Sequence, residues 1–134
     1  MNWFNILKLG NCYQTAYSYV FDEYIKNSKT RVLLVHADVT GTGGEVVGMC
    51  YGHAFVLDGN MVIDTEATIR LGKEIKMPYE RYVDLGNVTN EQIYTVSEAM
   101  QYAMISGHYG PWHDGLVSPK KLNEIKESIK RGGQ

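Results

Sequence analysis

Three residues of this chain have the chemistry of a nucleophilic site: Cys12, His53 and Asp64. A thiolate is a strong nucleophile, an imidazole can carry its proton near neutral pH, and a carboxylate fixes the imidazole's tautomer and orientation. His53 and Asp64 lie near the two ends of the stretch Gly52-His53-Ala54-Phe55-Val56-Leu57-Asp58-Gly59-Asn60-Met61-Val62-Ile63-Asp64-Thr65-Glu66. Two apolar runs flank Asp58-Gly59, which predicts a β-hairpin with a two-residue type I′ turn. That turn places His53 directly opposite Asp64, with Cβ atoms about 4.5–5.5 Å apart. Taking Gly59-Asn60 as the loop makes the two residues diagonal neighbours, still on one face. A three-residue loop without a bulge puts them on opposite faces, because a one-residue slip inverts every side chain.

Cys12 is the candidate nucleophile because it follows the break Gly10-Asn11 and opens a helical pattern. In a first helical turn, unpaired backbone N–H groups and the helix dipole stabilise a thiolate. The same N–H groups can bind a developing oxyanion, with the Asn11 and Gln14 side chains as candidate further donors. Cys50 is the competing thiol; three residues before His53 on one strand, it points to the opposite face and reads as core. Mixed faces and irregular spacing also speak against a metal site built from Cys50, His53, His36 or Asp38.

The elements that must hold these groups follow from periodicity. Residues 1–11 read as a short helix or ordered arm, and residues 12–27 as a helix with Tyr13, Ala16, Tyr17, Val20, Phe21, Tyr24 and Ile25 on its apolar side. Residues 31–39 read as a strand covered on both faces, since Val32-Leu33-Leu34-Val35 is apolar at every position. Thr40-Gly41-Thr42-Gly43-Gly44 is a turn rather than a phosphate loop, because a strand follows and no Gly-Lys-Ser/Thr is present. Residues 45–57 and 61–65 form the hairpin strands, and residues 66–77 carry only a loose alternation. Pro78 starts a short helix ending near Gly86. Ile93-Tyr94-Thr95-Val96 reads as a strand leading into a helix through Met104, capped by Ser97 and stopped by Gly107; a Thr89/Gln92 capping box is the alternative start. Residues 107–113 form an aromatic loop whose His108 and His113 flank Tyr109 and Trp112. Ser118-Pro119 opens a last lysine-rich helix. His36 reads as a structural histidine with its ring satisfied, and Glu66 as an exposed turn residue.

At 134 residues the chain is long enough for one domain, over 1–134, that needs no disulfide or structural metal. A net charge of −2 excludes a broad basic nucleic-acid surface. No stretch approaches the roughly 18 apolar residues of a membrane span, and no secretory signal opens the chain. Two cysteines make no disulfide framework, so a reducing compartment and a cytoplasmic location are expected.

Gly10-Asn11-Cys12-Tyr13-Gln14-Thr15-Ala16, His53-Ala54-Phe55-Val56 and Val62-Ile63-Asp64-Thr65 together resemble the core of the transglutaminase-like and papain-like cysteine protease superfamily. The resemblance covers about residues 10–66, with Thr65 standing where many members carry proline. It implies an α+β fold in which an N-terminal helix carrying the cysteine packs on an antiparallel β-sheet, with further C-terminal helices. It also implies Cys12 as nucleophile, His53 as general base and acid, and Asp64 as the residue orienting the imidazole. The expected activity is hydrolysis or acyl transfer at an amide bond of a protein or peptide, without cofactor or metal. The alternative is an inactive papain-like fold used as a binding or inhibitory protein, such as a small viral or bacterial factor directed at a host protein.

Overall fold

The computed structural model describes residues 11–41 and 47–112, together with Glu124 and Glu127. Helix α1 (Asn11–Lys26) is followed by strands β1 (Leu33–Thr40), β2 (Cys50–Asp58) and β3 (Met61–Ile63). Helix α2 (Thr65–Leu71), strand β4 (Lys76–Pro78), helix α3 (Tyr79–Gly86), strand β5 (Thr89–Thr95) and helix α4 (Val96–Ser106) complete the order. The strands form one five-stranded antiparallel sheet in the order β4-β3-β2-β1-β5, so the protein is α+β. Among the described residues, no helix is long and apolar enough to cross a membrane. The N-terminal arm, the turn at 42–44, His113 and most of the lysine-rich C-terminal segment lie outside the described residues, although Glu124 and Glu127 are helical.

The double-sided apolar pattern of β1 has a direct structural counterpart. Leu34 joins Ala54, Val56, Tyr94 and Val20 on the face covered by α1 and α4. Val35 joins Phe55, Leu57, Val62 and Ile93 on the face covered by α3. Both sides of the central strands therefore leave water, and each fully buried Leu or Phe contributes about 2–3 kcal/mol of transfer free energy.

The hairpin turns at Gly59-Asn60, one residue later than the Asp58-Gly59 loop expected, because Asp58 pairs with Met61 and Leu57 with Val62. Gly59 has φ 65° while Asn60 does not enter the positive-φ region, the pattern of a type II′ turn with glycine in its first central position. Asp58 stays in the strand, where its Oδ1 accepts from Arg31 Nε at 3.0 Å. The Arg31 guanidinium also lies across Gly59, 3.0 Å from where a Cβ would sit.

Several boundaries depart from the expectations. The third strand stops at Ile63 because Asp64 caps α2, a helix that the loose alternation of residues 66–77 did not disclose. Helix α4 is capped by Thr95, not Ser97: Thr95 accepts from the Glu98 backbone N–H, and Glu98 reaches back to the Thr95 backbone N–H at 2.9 Å. This reciprocal pair satisfies two of the helix's orphan donors. Thr89 belongs to β5 rather than to a capping box. Asn11 is the first residue of α1.

His36 is buried, but its ring is not satisfied as expected. Among the described residues, neither ring nitrogen has a hydrogen-bond partner. The imidazole is boxed by Tyr13, Tyr94 and Trp112, with ring centroids 4.8, 5.1 and 4.9 Å away. Gly110 closes the box; a Cβ there would sit 2.5 Å from His36 Cε1. The aromatic loop thus packs Trp112 onto the core, while Tyr109 remains at the surface against Tyr17.

Burial lowers the His36 pKa from 6.5 to about 3, since the charged ring would have no water and no acceptor. The unfolded chain binds a proton below pH 6.5 that the folded chain refuses, so this residue removes stability as the pH falls through that window. We expect His36→Phe to flatten the acid limb of a stability–pH curve measured by urea unfolding. The difference in slope approaches about 1.4 kcal/mol per pH unit; identical slopes for the two proteins would refute the assignment.

Candidate functional site

The site lies where β2 runs past the end of its outer neighbour. β3 pairs only with Val56–Asp58, so among the described residues no strand covers the outer edge of β2 at His53. Two helix starts meet there instead. Thr15, in the first turns of α1, and Thr65, the first residue of α2, approach with hydroxyls 3.3 Å apart, and Thr15 Oγ1 also donates to the Cys12 carbonyl.

Strand alternation puts His53 with Phe55 and Leu57, whereas Cys12 belongs to the cluster on the other face with Ala54 and Val56. Thiol and imidazole nevertheless meet, because the first turn of α1 stands at the margin of the sheet. Their closeness is enforced by their chain neighbours. Tyr13 crosses over Gly52, and a Cβ on that glycine would stand 2.5 Å from the Tyr13 hydroxyl oxygen.

His53 Nε2 and Asp64 Oδ2 are 3.0 Å apart in a buried pair. Asp64 is held from three directions. Its Oδ1 accepts from the Ala67 backbone N–H at 3.0 Å, which is the N-cap bond of α2, and its Oδ2 also accepts from the Tyr82 hydroxyl at 2.6 Å. With the hairpin turning at Gly59-Asn60, His53 and Asp64 are diagonal rather than directly opposed, and they share a side as that register requires.

Burial by itself lowers the His53 pKa, but donation to Asp64, donation toward the Cys12 sulfur and the Asp64 charge outweigh it and push it up to about 10. For Asp64, burial acts upward and is outweighed by His53, Tyr82 and the Ala67 N–H, which hold the carboxyl below its ordinary 3.8. At neutral pH the pair is an imidazolium and a carboxylate. Nε2 is committed to Asp64, so Nδ1 is the ring nitrogen left for the thiol.

The structure thus brings Cys12, His53 and Asp64 together and leaves other candidates apart. Cys50 is exposed, not core; it opens the exposed end of β2, ahead of the buried run that begins at His53. Gln14 is exposed, and a two-residue step along a helix turns it away from the Cys12 face. The Asn11 side chain lies outside the described residues. Backbone N–H groups at the start of α1 are therefore the donors that the site offers to an oxyanion.

Tyr82 was not expected. Its only sequence signal is its place in the short helix after Pro78, and it reaches the site because its ring packs on Phe55 with centroids 4.7 Å apart. Glu66 lies on the site rather than in an exposed turn. One donor atom each from His53, Asp64 and Glu66 fall within 4.8 Å of one another. These three residues could hold a cation only by breaking existing bonds, because both Asp64 oxygens are engaged and Glu66 accepts from Arg70 Nε at 3.1 Å. Comparison with known proteins adds no relative: no family model, no curated protein and no solved structure matches the chain.

Two substitutions separate the roles of Asp64. Asparagine caps helices as well as aspartate does, so Asp64→Asn keeps α2 while removing the charge beside the imidazole. In that variant we expect His53 to titrate well below its native value of about 10, as followed by NMR of the ring protons. A raised folded pKa contributes stability that is complete below 6.5 and is lost as pH rises through about 10, so the alkaline limb of stability should flatten too. An unchanged His53 titration would exclude the pair. Tyr82→Phe should cost about 1.5 kcal/mol in unfolding free energy, the lower end for a hydrogen bond to a charged group.

Proposed function

We propose that this protein is a small papain-like thiol enzyme that cleaves or transfers an acyl group at an amide bond. One observation carries the reading: His53 is held by Asp64 at 3.0 Å while the sulfur of Cys12, at the start of a helix, acts on the same ring as an acceptor that raises its pKa. An imidazolium beside sulfur is the setting in which thiolate acts as nucleophile. In this reading Cys12 Sγ attacks the carbonyl carbon and the carbonyl π electrons move to oxygen, where N–H groups of the first turn of α1 receive the charge. The tetrahedral intermediate collapses, the C–N bond breaks, and His53 gives its proton to the departing amine. Water or a second amine, deprotonated by the now neutral His53, then takes the acyl group from sulfur. Asp64 keeps Nε2 engaged throughout, so the proton is exchanged at Nδ1. Among the described residues, Trp112 packs against His36 and the ring beside His53 is that of Tyr51.

A second reading is favoured by a different observation: Cys12 is only 3% exposed, His53 5% and Asp64 7%. A triad so enclosed also suits a papain-like fold kept as a rigid body for binding another protein.

Alkylation kinetics separate the two. Exposure alone predicts that iodoacetamide modifies the exposed Cys50 before the buried Cys12. The enzyme reading predicts the reverse order at neutral pH, with His53→Ala slowing Cys12 modification by about a hundredfold. Rates would be followed by mass spectrometry of the two cysteine peptides. Faster labelling of Cys50, with Cys12 indifferent to the His53 substitution, would leave the binding reading standing alone.

A further inference from the structure

The triad accounts for the chemistry of an acyl transfer but not for what the substrate carries, and a second charged pair stands beside it. Arg70, in the last turn of α2, folds back along its own helix so that Nε donates to Glu66 at 3.1 Å. This is the direction in which long helical side chains run. Glu66 is the carboxylate grouped with His53 and Asp64 within 4.8 Å, so the guanidinium stands one side chain away from the catalytic imidazole. Its side chain is 30% exposed, against 11% for Glu66. Among the described residues it donates only through Nε, leaving the Nη1/Nη2 end of the fork open. Tyr51, 37% exposed, lines the same margin with its ring 6.1 Å from that of His53. The Tyr51 phenol is pushed upward chiefly by burial and, beyond that, by the charges of Glu66 and Asp64.

This arrangement differs from a solvated helix pair. An i, i+4 Glu–Arg pair on an open surface is worth only a few tenths of a kcal/mol and has no reason to place its carboxylate against a buried imidazole. Here Glu66 holds the guanidinium by one edge, and the opposite edge offers two parallel N–H donors, the geometry that fits a carboxylate.

We propose that Arg70 is the specificity-determining residue of this site and that it receives a carboxylate carried by the substrate close to the bond that Cys12 attacks. The inference rests on the thiol-enzyme reading and narrows its substrate to an anionic one: an acidic side chain or a chain-terminal carboxylate.

Iodoacetate and iodoacetamide test this directly, because they differ in the charge of one group. In both, sulfur forms a bond to the methylene carbon as the C–I bond breaks and iodide leaves. The quantity measured is the ratio of the two second-order rate constants at Cys12. Arg70→Gln should lower the iodoacetate-to-iodoacetamide ratio on the order of fivefold at low salt. Arg70→Lys should recover part of that loss, and added salt should shrink the difference between the native and Gln forms. A ratio that Arg70→Gln leaves unchanged, in a protein whose Cys12 is still labelled in a His53-dependent way, would overturn the role of Arg70 alone. Loss of His53-dependent labelling in the native protein would instead overturn the enzyme reading. Protection of Cys12 from iodoacetamide by N-acetylalanine assigns the terminal carboxylate, and protection by N-acetylglutamic acid N-methylamide assigns the side chain. Failure of both to protect at high millimolar concentration would also overturn the proposal.

Discussion

The carboxylate of Asp64 is the point on which the rest of the site depends. It accepts from a backbone N–H, an imidazole and a phenol, and each of those donors belongs to a different element. The N-cap bond makes the carboxylate's position a property of α2, so the orientation of His53 is inherited from the helix rather than from a free side chain. Tyr82 ties the same group to α3 across the buried face of the sheet. A buried carboxylate with fewer partners would be driven toward its neutral form by desolvation. Here the three donors keep it charged, and the charge in turn keeps the imidazole protonated. Fold and electrostatics are joined at one functional group.

How much of this was readable from the residues differs by element, for physical reasons. The apolar run Val32-Leu33-Leu34-Val35 announced a doubly covered strand, because burial leaves a strong pattern, and the apolar periodicity through Met104 announced α4, although only Val96 and Ala99 of that helix are buried and Met104 is exposed. The pairing of His53 with Asp64 was legible because a two-residue hairpin admits few registers, and both candidate registers keep the two residues on one side. Helix α2 was not legible. Asp64 was read as the last residue of a strand, while its actual backbone is that of a helix cap, and a helix of seven residues is too short to show a stripe. Thr65 and Glu66, taken as strand end and turn, are its first turn.

The thiols show a different limit. Alternation separates the direction of Cys50 from that of His53 but says nothing about where burial along a strand ends, and in β2 it begins only at His53. His36 likewise looked satisfied because buried histidines usually are. The aromatic box around it is assembled from three separate segments, and no local pattern foretells such an arrangement. Tyr82 shares this property: its bond to Asp64 comes from tertiary packing alone.

Gly52 gives the site its calibre. The residue after the cysteine and the residue before the histidine touch, and the space between them admits a hydrogen atom but no methyl group. Any side chain at Gly52 would act as a shim between α1 and β2, moving two reactive groups apart by acting on neither. The thiol–imidazole gap is therefore machined by an absence, a tolerance carried in the backbone one residue away from each partner. Such a fitting has no give, because Tyr13 is braced on its other side by the ring of His36.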